Sequence, residues 1–446
     1  MNIKEKAMLF AIKAHMGQVR KNEPDKPMII HPLGVGKLLE EYGIDDNTVA
    51  AAYLHDVVED TSYTLDDIKR EFGEEIAFLV DTASEPDKNL SWEERKQHTI
   101  DTIKTMPLNN KLVSCADKIN NLEDLKNKFD KTGKEDFSLF KRGFNEQKWY
   151  YENVYNSLIY NEDINHPLFI RLKNVIDLVF NKKRENEYLE DVVFENTGDR
   201  YQTLKQLHAK KTEIQRIKKI IDGNIPFIIE FTGTPRTGKT TLINNLYDFF
   251  KKGGFKVCLI EEFTNSSYYK EEFYNSIKDL SKYEINIKIA KKIEEQLDEV
   301  LNLNYDVILI DRSLFDRVVW MNRLLKNNQM NIEQYNEYIN YYKDKISKYI
   351  DIIVMLYADS LSSLKRDYHN SLTLEDRRFL NIENIEQYNE AMQISEKELT
   401  DLNSVFKVDT SNINQNESSY MVSDKVLSKM RNKYIKTLNN QINNKV

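Results

Sequence analysis

Phe227-Ile-Ile-Glu-Phe-Thr-Gly233-Thr-Pro-Arg-Thr-Gly238-Lys239-Thr240-Thr241 decides the fold of the second half of this chain. Phe227–Phe231 reads as a buried strand, Gly233–Lys239 as a loop and Thr241–Phe250 as a helix. A G-x-x-x-x-G-K-[ST] run between a strand and a helix is the setting in which such a loop holds phosphate. The glycines let backbone N–H groups close around phosphate oxygens, and the helix N-terminus adds positive potential. Lys239 would pair with β- and γ-phosphate oxygens, and Thr240 would reach Mg²⁺. Gly233, Gly238, Lys239, Thr240 and Thr241 are therefore candidate contacts to ATP and its Mg²⁺.

Outward from this loop, short apolar strands alternate with helices. The strands are Pro226–Phe231, Phe255–Ile260, Asp306–Ile310, Ile350–Tyr357 and Ser404–Val408. That alternation predicts an α/β domain with a parallel sheet covered on both faces. Upstream the pattern is different. Residues 1 to about 190 read as nearly all helix, with apolar residues at helical spacing in Ala7–His15, Leu33–Glu41, Val49–Val58, Leu65–Phe72 and Leu108–Leu125. The aromatic stretch Phe137–Leu158 reads as a further core helix. We expect a multidomain protein: a helical domain over 1–190, a charged helical connector over 191–224 and an α/β domain over 225–446.

At 446 residues the chain exceeds one ordinary core. Its hydrophobic content of 40% suits packed domains, and a net charge of −8 argues against bulk nucleic-acid or anionic-membrane binding. Cys115 and Cys258 are too few and too far apart for a disulfide framework. The longest apolar runs are strand-sized, and the first helix, with Lys4 and Lys6, lacks a signal-peptide core, so a cytoplasmic location is expected. A homo-oligomer is compatible with all of this.

A second chemistry-bearing set lies in the helical half: His31, His55-Asp56 and Asp117. His55 and Asp56 fall on one predicted helix, Ala50–Val58, where adjacent side chains diverge by about 100°. They can share an ion only if it sits between them. Glu59 follows His55 by four residues and Asp56 by three, on the same face, and Asp60 follows Asp56 by four. Two imidazoles with carboxylates suit Mn²⁺, Fe²⁺ or Zn²⁺. Such an ion would lower the pKa of a bound water, which Glu59 or Asp60 could position or deprotonate.

The runs Ala14-His15-Met16-Gly17-Gln18-Val19-Arg20-Lys21, His31-Pro32-Leu33, His55-Asp56-Val57-Val58-Glu59-Asp60-Thr61 and Ala116-Asp117-Lys118-Ile119-Asn120-Asn121-Leu122 carry a resemblance. In that order they resemble the HD-superfamily hydrolases of the RelA/SpoT type, and among them the small alarmone hydrolases. The resemblance implies metal ligands at His31, His55, Asp56 and Asp117, with Glu59 and Asp60 handling the attacking water. It implies nucleotide contacts at Arg20, Lys21 and Asn121, and removal of the 3′-pyrophosphate from (p)ppGpp with Mn²⁺. Departures occur at Met28, where Tyr is common, and at Asn120, where an aromatic residue or His is usual.

In the α/β half, Asp311-Arg312 follows the strand Val307–Ile310, which puts Asp311 at a strand's carboxyl end. There it could hold Mg²⁺ through water, position a substrate or cap the next helix. With the phosphate loop, these features resemble the thymidylate and deoxynucleoside kinase group. The resemblance implies catalytic roles for Arg236 and Asp311, acceptor contacts at Glu262 and Arg312, and a lid arginine over ATP at Arg377. The usual Arg-Glu-Pro run is here Glu261-Glu262-Phe263. The acceptor is thus open, and so is the alternative of a non-transferring NTPase or sensor domain that regulates a hydrolase of another nucleotide.

Overall fold

The computed structural model describes residues 1–20, 23–81, 90–137, 140, 142–181, 198–263, 271–371, 381–399 and 405–445. Lys21 and Arg377 lie outside the described residues. The chain forms two compact units, Met1–Asp222 with Arg431–Val446, and Gly223–Met430.

The first unit is helical: α1 Ile3–Ala14, α2 Ile30–Glu41, α3 Asp46–Leu54, α4 Val57–Asp60, α5 Leu65–Phe72, α6 Glu74–Asp81, α7 Trp92–Thr105, α8 Leu108–Thr132, α9 Phe144–Leu158, α10 Pro167–Phe180 and α11 Gly198–Ile220. Local chemistry starts several of these helices. Asn2 with Glu5, Thr64 with Asp67 and Ser91 with Glu94 each form a reciprocal cap that satisfies otherwise orphaned N–H groups. The middle of the unit is α3, whose Ala50, Ala51 and Ala52 are fully buried. Methyl side chains let α1, α2, α6 and α8 all approach its backbone.

Three sequence expectations change here. The nearly all-helical stretch gains one small sheet, in which Val19–Arg20 (β1) and Glu23–Pro27 (β2) pair antiparallel. Their polar sequence shows no alternation to betray a strand. The expected helix Ala50–Val58 is two pieces, α3 and α4, with His55 and Asp56 at the junction. The expected Phe137–Leu158 helix starts only at Phe144, after Gly143.

The second unit has a five-stranded sheet in the order β4-β5-β3-β6-β7. The strands are β3 Phe227–Gly233, β4 Val257–Ile260, β5 Val307–Asp311, β6 Ile352–Tyr357 and β7 Val405–Asp409, all pairing parallel. Its helices are α12 Lys239–Lys252, α13 Glu271–Ile277, α14 Lys282–Leu301, α15 Leu314–Lys326, α16 Ile332–Tyr349, α17 Ser360–Ser371 and α18 Ile382–Glu398. A last helix, α19 Gln415–Lys445, begins in this unit and ends among the residues of the first. Every residue of β3 is buried. One core gathers α14, α15, α16 and α18 against β5 and β6 through residues such as Ile293, Val318, Tyr342, Met355 and Met392.

Glu230 is the exception in this apolar strand, and its role is visible. It accepts hydrogen bonds from the N–H groups of Ser313, Phe315 and Asp316 at 2.8, 3.1 and 3.0 Å, so it caps α15 from within the sheet. That anchors the turn carrying Asp311 and Arg312.

Candidate metal centre and phosphate loop

Four helices' worth of sequence converge on one spot in the first unit. His31 enters from α2, His55 and Asp56 from the α3–α4 junction, and Asp117 from α8. His31 Nε2 lies 3.1 Å from Asp117 Oδ1 and 3.6 Å from Asp56 Oδ2. His55 Nε2 lies 3.2 Å from Asp56 Oδ1 and 3.8 Å from Asp117 Oδ1. The adjacent side chains of His55 and Asp56 reach the same point although both residues keep right-handed helical backbone angles at the junction.

The imidazoles are prepared as ligands. His55 Nδ1 sits 2.8 Å from the Ala52 carbonyl, an acceptor, which places the proton on Nδ1 and turns Nε2 inward. That Nε2 is buried and has no hydrogen-bond partner. When the ring is neutral, the lone pair of this nitrogen faces the Asp56 and Asp117 carboxylates, a cost that a bound cation would relieve. His31, His55 and Asp117 each offer one ligand atom, all within 4.8 Å of one another. The donor set and the orphaned nitrogen both fit a divalent ion.

Electrostatics follow from this crowding. Burial disfavours a charged His55, but the Asp56 and Asp117 carboxylates outweigh it and push its pKa up to about 9. Burial also opposes ionisation of Asp117. Lys118, whose Nζ is 2.6 Å from Asp117 Oδ2, and the two imidazoles overcome it and hold the carboxyl well below the usual range. Asn121 Nδ2 donates to Asp117 Oδ1 at 2.6 Å, so Asn121 steadies this carboxylate in addition to lining the neighbouring cavity.

That cavity has a volume of about 1010 Å³, and its walls include Arg20, Asp60, Asn121, Lys128, Trp92 and Tyr150. Arg20 is held 3.0 Å from Asp124. Glu59 is half-buried and Asp60 exposed, both on α4. The early His15 run proves to be a brace: His15 Nδ1 bonds Gln18 Oε1 at 2.8 Å, and Gln18 Nε2 donates to the Asp60 carbonyl at 2.8 Å. His98, on α7, is exposed.

In the second unit the phosphate loop runs from β3 into α12. Gly238, at φ +84°, occupies the left-handed conformation that lets the loop turn into the helix. Arg236 adopts φ +64° and Arg312 φ +61°, uncommon for residues with a side chain and held here by ion pairs. Arg236 Nε bonds Asp367 Oδ1 at 2.7 Å. Lys239 is ion-paired with Asp311 at the end of β5. A cavity of about 570 Å³ above the loop is lined by residues including Gly238, Lys239, Thr240, Thr241, Arg312 and Arg366. Arg366 donates to Thr410 Oγ1 at 3.1 Å and lines the same cavity.

Arg312 has several partners within the protein. It donates to Asp316 Oδ1 at 2.8 Å, to the Gly233 carbonyl at 2.9 Å and to Tyr388, with Glu262 at 3.6 Å. Asp316 is fully buried and also accepts from Thr232 and Arg317 at 2.7 and 2.6 Å. This network ties the base of the phosphate loop to α15 and α18.

Comparison with known proteins adds to these geometries. Residues 7–141 match a family model described as HD domain, and residues 228–359 one described as AAA domain. The chain thus carries an HD domain in its N-terminal part and a nucleotide-binding type of α/β domain after it. Over 119 residues it is 42% identical to guanosine-3′,5′-bis(diphosphate) 3′-pyrophosphohydrolase MESH1 of Xenopus tropicalis, covering 26% of this chain and 66% of that protein. Over 168 residues it is 31% identical to a GTP pyrophosphokinase of Streptomyces coelicolor, covering 35% of this chain and 20% of that one. The chain therefore spans less than two thirds of these relatives. A deoxyadenosine kinase structure from M. mycoides overlaps 45% of this chain and 100% of its own at 22% identity, with a TM-score of 0.34. Among the described residues no helix is long and apolar enough to cross a membrane.

Proposed function

We propose that this protein is a divalent-metal-dependent nucleotide phosphohydrolase, with Mn²⁺ as the ion and (p)ppGpp as the substrate from which the 3′-pyrophosphate is removed. In this reading residues 1–190 are the hydrolase, 191–224 the connector and 225–446 a domain that binds ATP with Mg²⁺ and phosphorylates a nucleoside or nucleotide. It works in the cytoplasm on soluble nucleotides. The observation that carries the proposal is the meeting of His31, His55, Asp56 and Asp117, with the buried His55 Nε2 turned toward both carboxylates.

His31, His55, Asp56 and Asp117 would hold the ion. A bound divalent ion supplies Lewis acidity and brings the pKa of water toward neutrality. The chain's own residues do the rest. Asn121 and Lys118 orient Asp117. Glu59 and Asp60, on α4, position the attacking water and take its proton. Arg20, at the cavity wall beside the centre, meets substrate phosphate, and Lys21 is assigned the same part. The relative from Xenopus, named for this reaction, supports the substrate class. A panel of nucleotides with Mn²⁺ tests it. Release of pyrophosphate from 3′-diphosphorylated guanosine nucleotides, and none from 5′-triphosphates, is expected; hydrolysis confined to other nucleotides would overturn the substrate and keep the class.

For the second unit, Lys239, Thr240 and Thr241 would bind the nucleotide phosphates and Mg²⁺, with Arg236 and Asp311 at the transferred group, Glu262 and Arg312 at the acceptor, and Arg377 over the ATP. One observation favours the alternative of a nucleotide sensor: Arg312 is already committed to Asp316, Gly233 and Tyr388. Labelled ATP with a set of nucleosides and nucleotides separates the two. A labelled acceptor supports transfer; phosphate release alone, lost in Lys239→Ala, supports the sensor.

A further inference from the structure

Both candidate ligand histidines need a fixed tautomer, yet they obtain it differently. His55 uses the backbone carbonyl of Ala52. His31 uses a side chain: its Nδ1 is 2.7 Å from Asn120 Oδ1. Asn120 stands on α8 three residues after Asp117, so one helix face supplies a ligand and the support of another ligand. An amide oxygen only accepts, which leaves the proton on His31 Nδ1 and the lone pair on Nε2, facing Asp117 and Asp56.

The other half of the carboxamide has a place prepared for it. A Cβ on Gly34 would lie 2.7 Å from Asn120 Nδ2. Gly34 lies inside α2, three residues from His31, with an ordinary helical backbone. Alanine there would normally favour a helix, so glycine is explained by clearance and not by conformation.

We propose that Asn120 is the positioning residue that sets the His31 tautomer for metal binding, and that Gly34 keeps the space in which its carboxamide can point that way. This rests on the metal-dependent reading of the centre. It assigns a role to a position at which the sequence departs from the hydrolases it resembles.

Three variants of the full chain test it: Asn120→Leu removes the acceptor, Asn120→Asp keeps one, and Gly34→Ala pushes the carboxamide aside without touching it. Free Mn²⁺, followed by electron paramagnetic resonance during titration, gives the affinity. Asn120→Leu and Gly34→Ala should each weaken Mn²⁺ binding roughly 10- to 100-fold, the usual effect of losing a residue that supports a metal ligand. Asn120→Asp should stay close to the parent. Ring ¹⁵N shifts of His31 in metal-free protein, recorded where the ring is neutral, should show Nδ1–H in the parent and a tautomer mixture in Asn120→Leu and Gly34→Ala. Urea midpoints for Gly34→Ala should not fall, which separates positioning from general damage. Unchanged affinity and unchanged ¹⁵N shifts in Asn120→Leu and Gly34→Ala would overturn the inference. A parent protein that binds no divalent ion would overturn the reading of the centre, and the ¹⁵N shifts would still judge Asn120.

Discussion

Lys239, in the phosphate loop, is ion-paired with Asp311, the last residue of β5. The cation that should meet nucleotide phosphate is already neutralised by the Asp311 carboxylate. Burial and the nearby Arg312 guanidinium lower the Lys239 pKa, against the raising effect of Asp311. Nucleotide binding is therefore an exchange of one anion for another on Lys239.

This exchange has a measurable sign. Asp311→Asn should tighten Mg²⁺-free ATP binding, by roughly tenfold if about 1.4 kcal/mol of competition is relieved. The same variant should slow any phosphoryl transfer or NTP hydrolysis. Lys239→Ala should weaken ATP binding by at least about tenfold. Fluorescent-nucleotide titration checks both, and weaker binding in Asp311→Asn would show that the pair does not compete with ligand.

Metal uptake in the first unit should depend on pH through His55. Its pKa is raised from 6.5 to about 9 in the metal-free fold. A raised histidine stabilises the metal-free fold below about 6.5, and this contribution is lost as pH rises through about 9. An ion needs the bare nitrogen, so it must displace that proton. Apparent Mn²⁺ affinity should climb about tenfold per pH unit across this window and flatten above it. Calorimetry in buffers of different ionisation enthalpy should find about one proton released at neutral pH. PH-independent binding would place the ion elsewhere.

Packing between α2 and α3 gives a stability test remote from chemistry. A Cβ on Gly36 would lie 2.3 Å from the Tyr53 ring. Tyr53 is buried and its hydroxyl donates to Glu40 Oε1 at 2.9 Å, so it has nowhere to go. Gly36→Ala should destabilise the first unit by roughly 1–3 kcal/mol, more than the ~1 kcal/mol that helix propensity returns. Urea unfolding reads the difference; an unchanged midpoint would mean that the two helices can separate freely.

Glu230 offers a pH test in the second unit. Burial pushes its pKa up to about 7 against the pull of three backbone N–H groups. A carboxyl raised above its ordinary 4.5 favours the fold at low pH, and that contribution is lost as pH rises through about 7. Glu230→Gln should therefore flatten the decline in stability between about pH 5 and 8, as followed by urea midpoints. Parallel pH profiles for parent and variant would remove Glu230 from the account.

Much of this molecule was legible in its sequence because the signals are local. The five strands alternate with helices as read, and Asp311 ends β5 as its place after Val307–Ile310 implied. The four metal-centre candidates do meet. What escaped the reading depends on distant partners or on the absence of pattern. Tyr53, Leu54, Val57 and Val58 continue helical spacing across the point where α3 stops, so no periodicity could show the turn at His55-Asp56. The hydrogen bond from Arg312 to Tyr388 spans 76 residues, beyond any local rule. Asn120 read as a mere departure; only its approach to His31, across 89 residues, gives it a purpose.

The central claim is that the His31, His55, Asp56 and Asp117 cluster is a metal-dependent hydrolase centre. The most direct measurement is pyrophosphate release from ppGpp by the full chain with Mn²⁺, compared with His55→Ala. Turnover in the parent should vanish on chelation, and the variant should lose at least about a hundredfold, because it lacks a ligand and not merely its support. Equal turnover in parent and His55→Ala, or turnover that survives removal of every divalent ion, would contradict it.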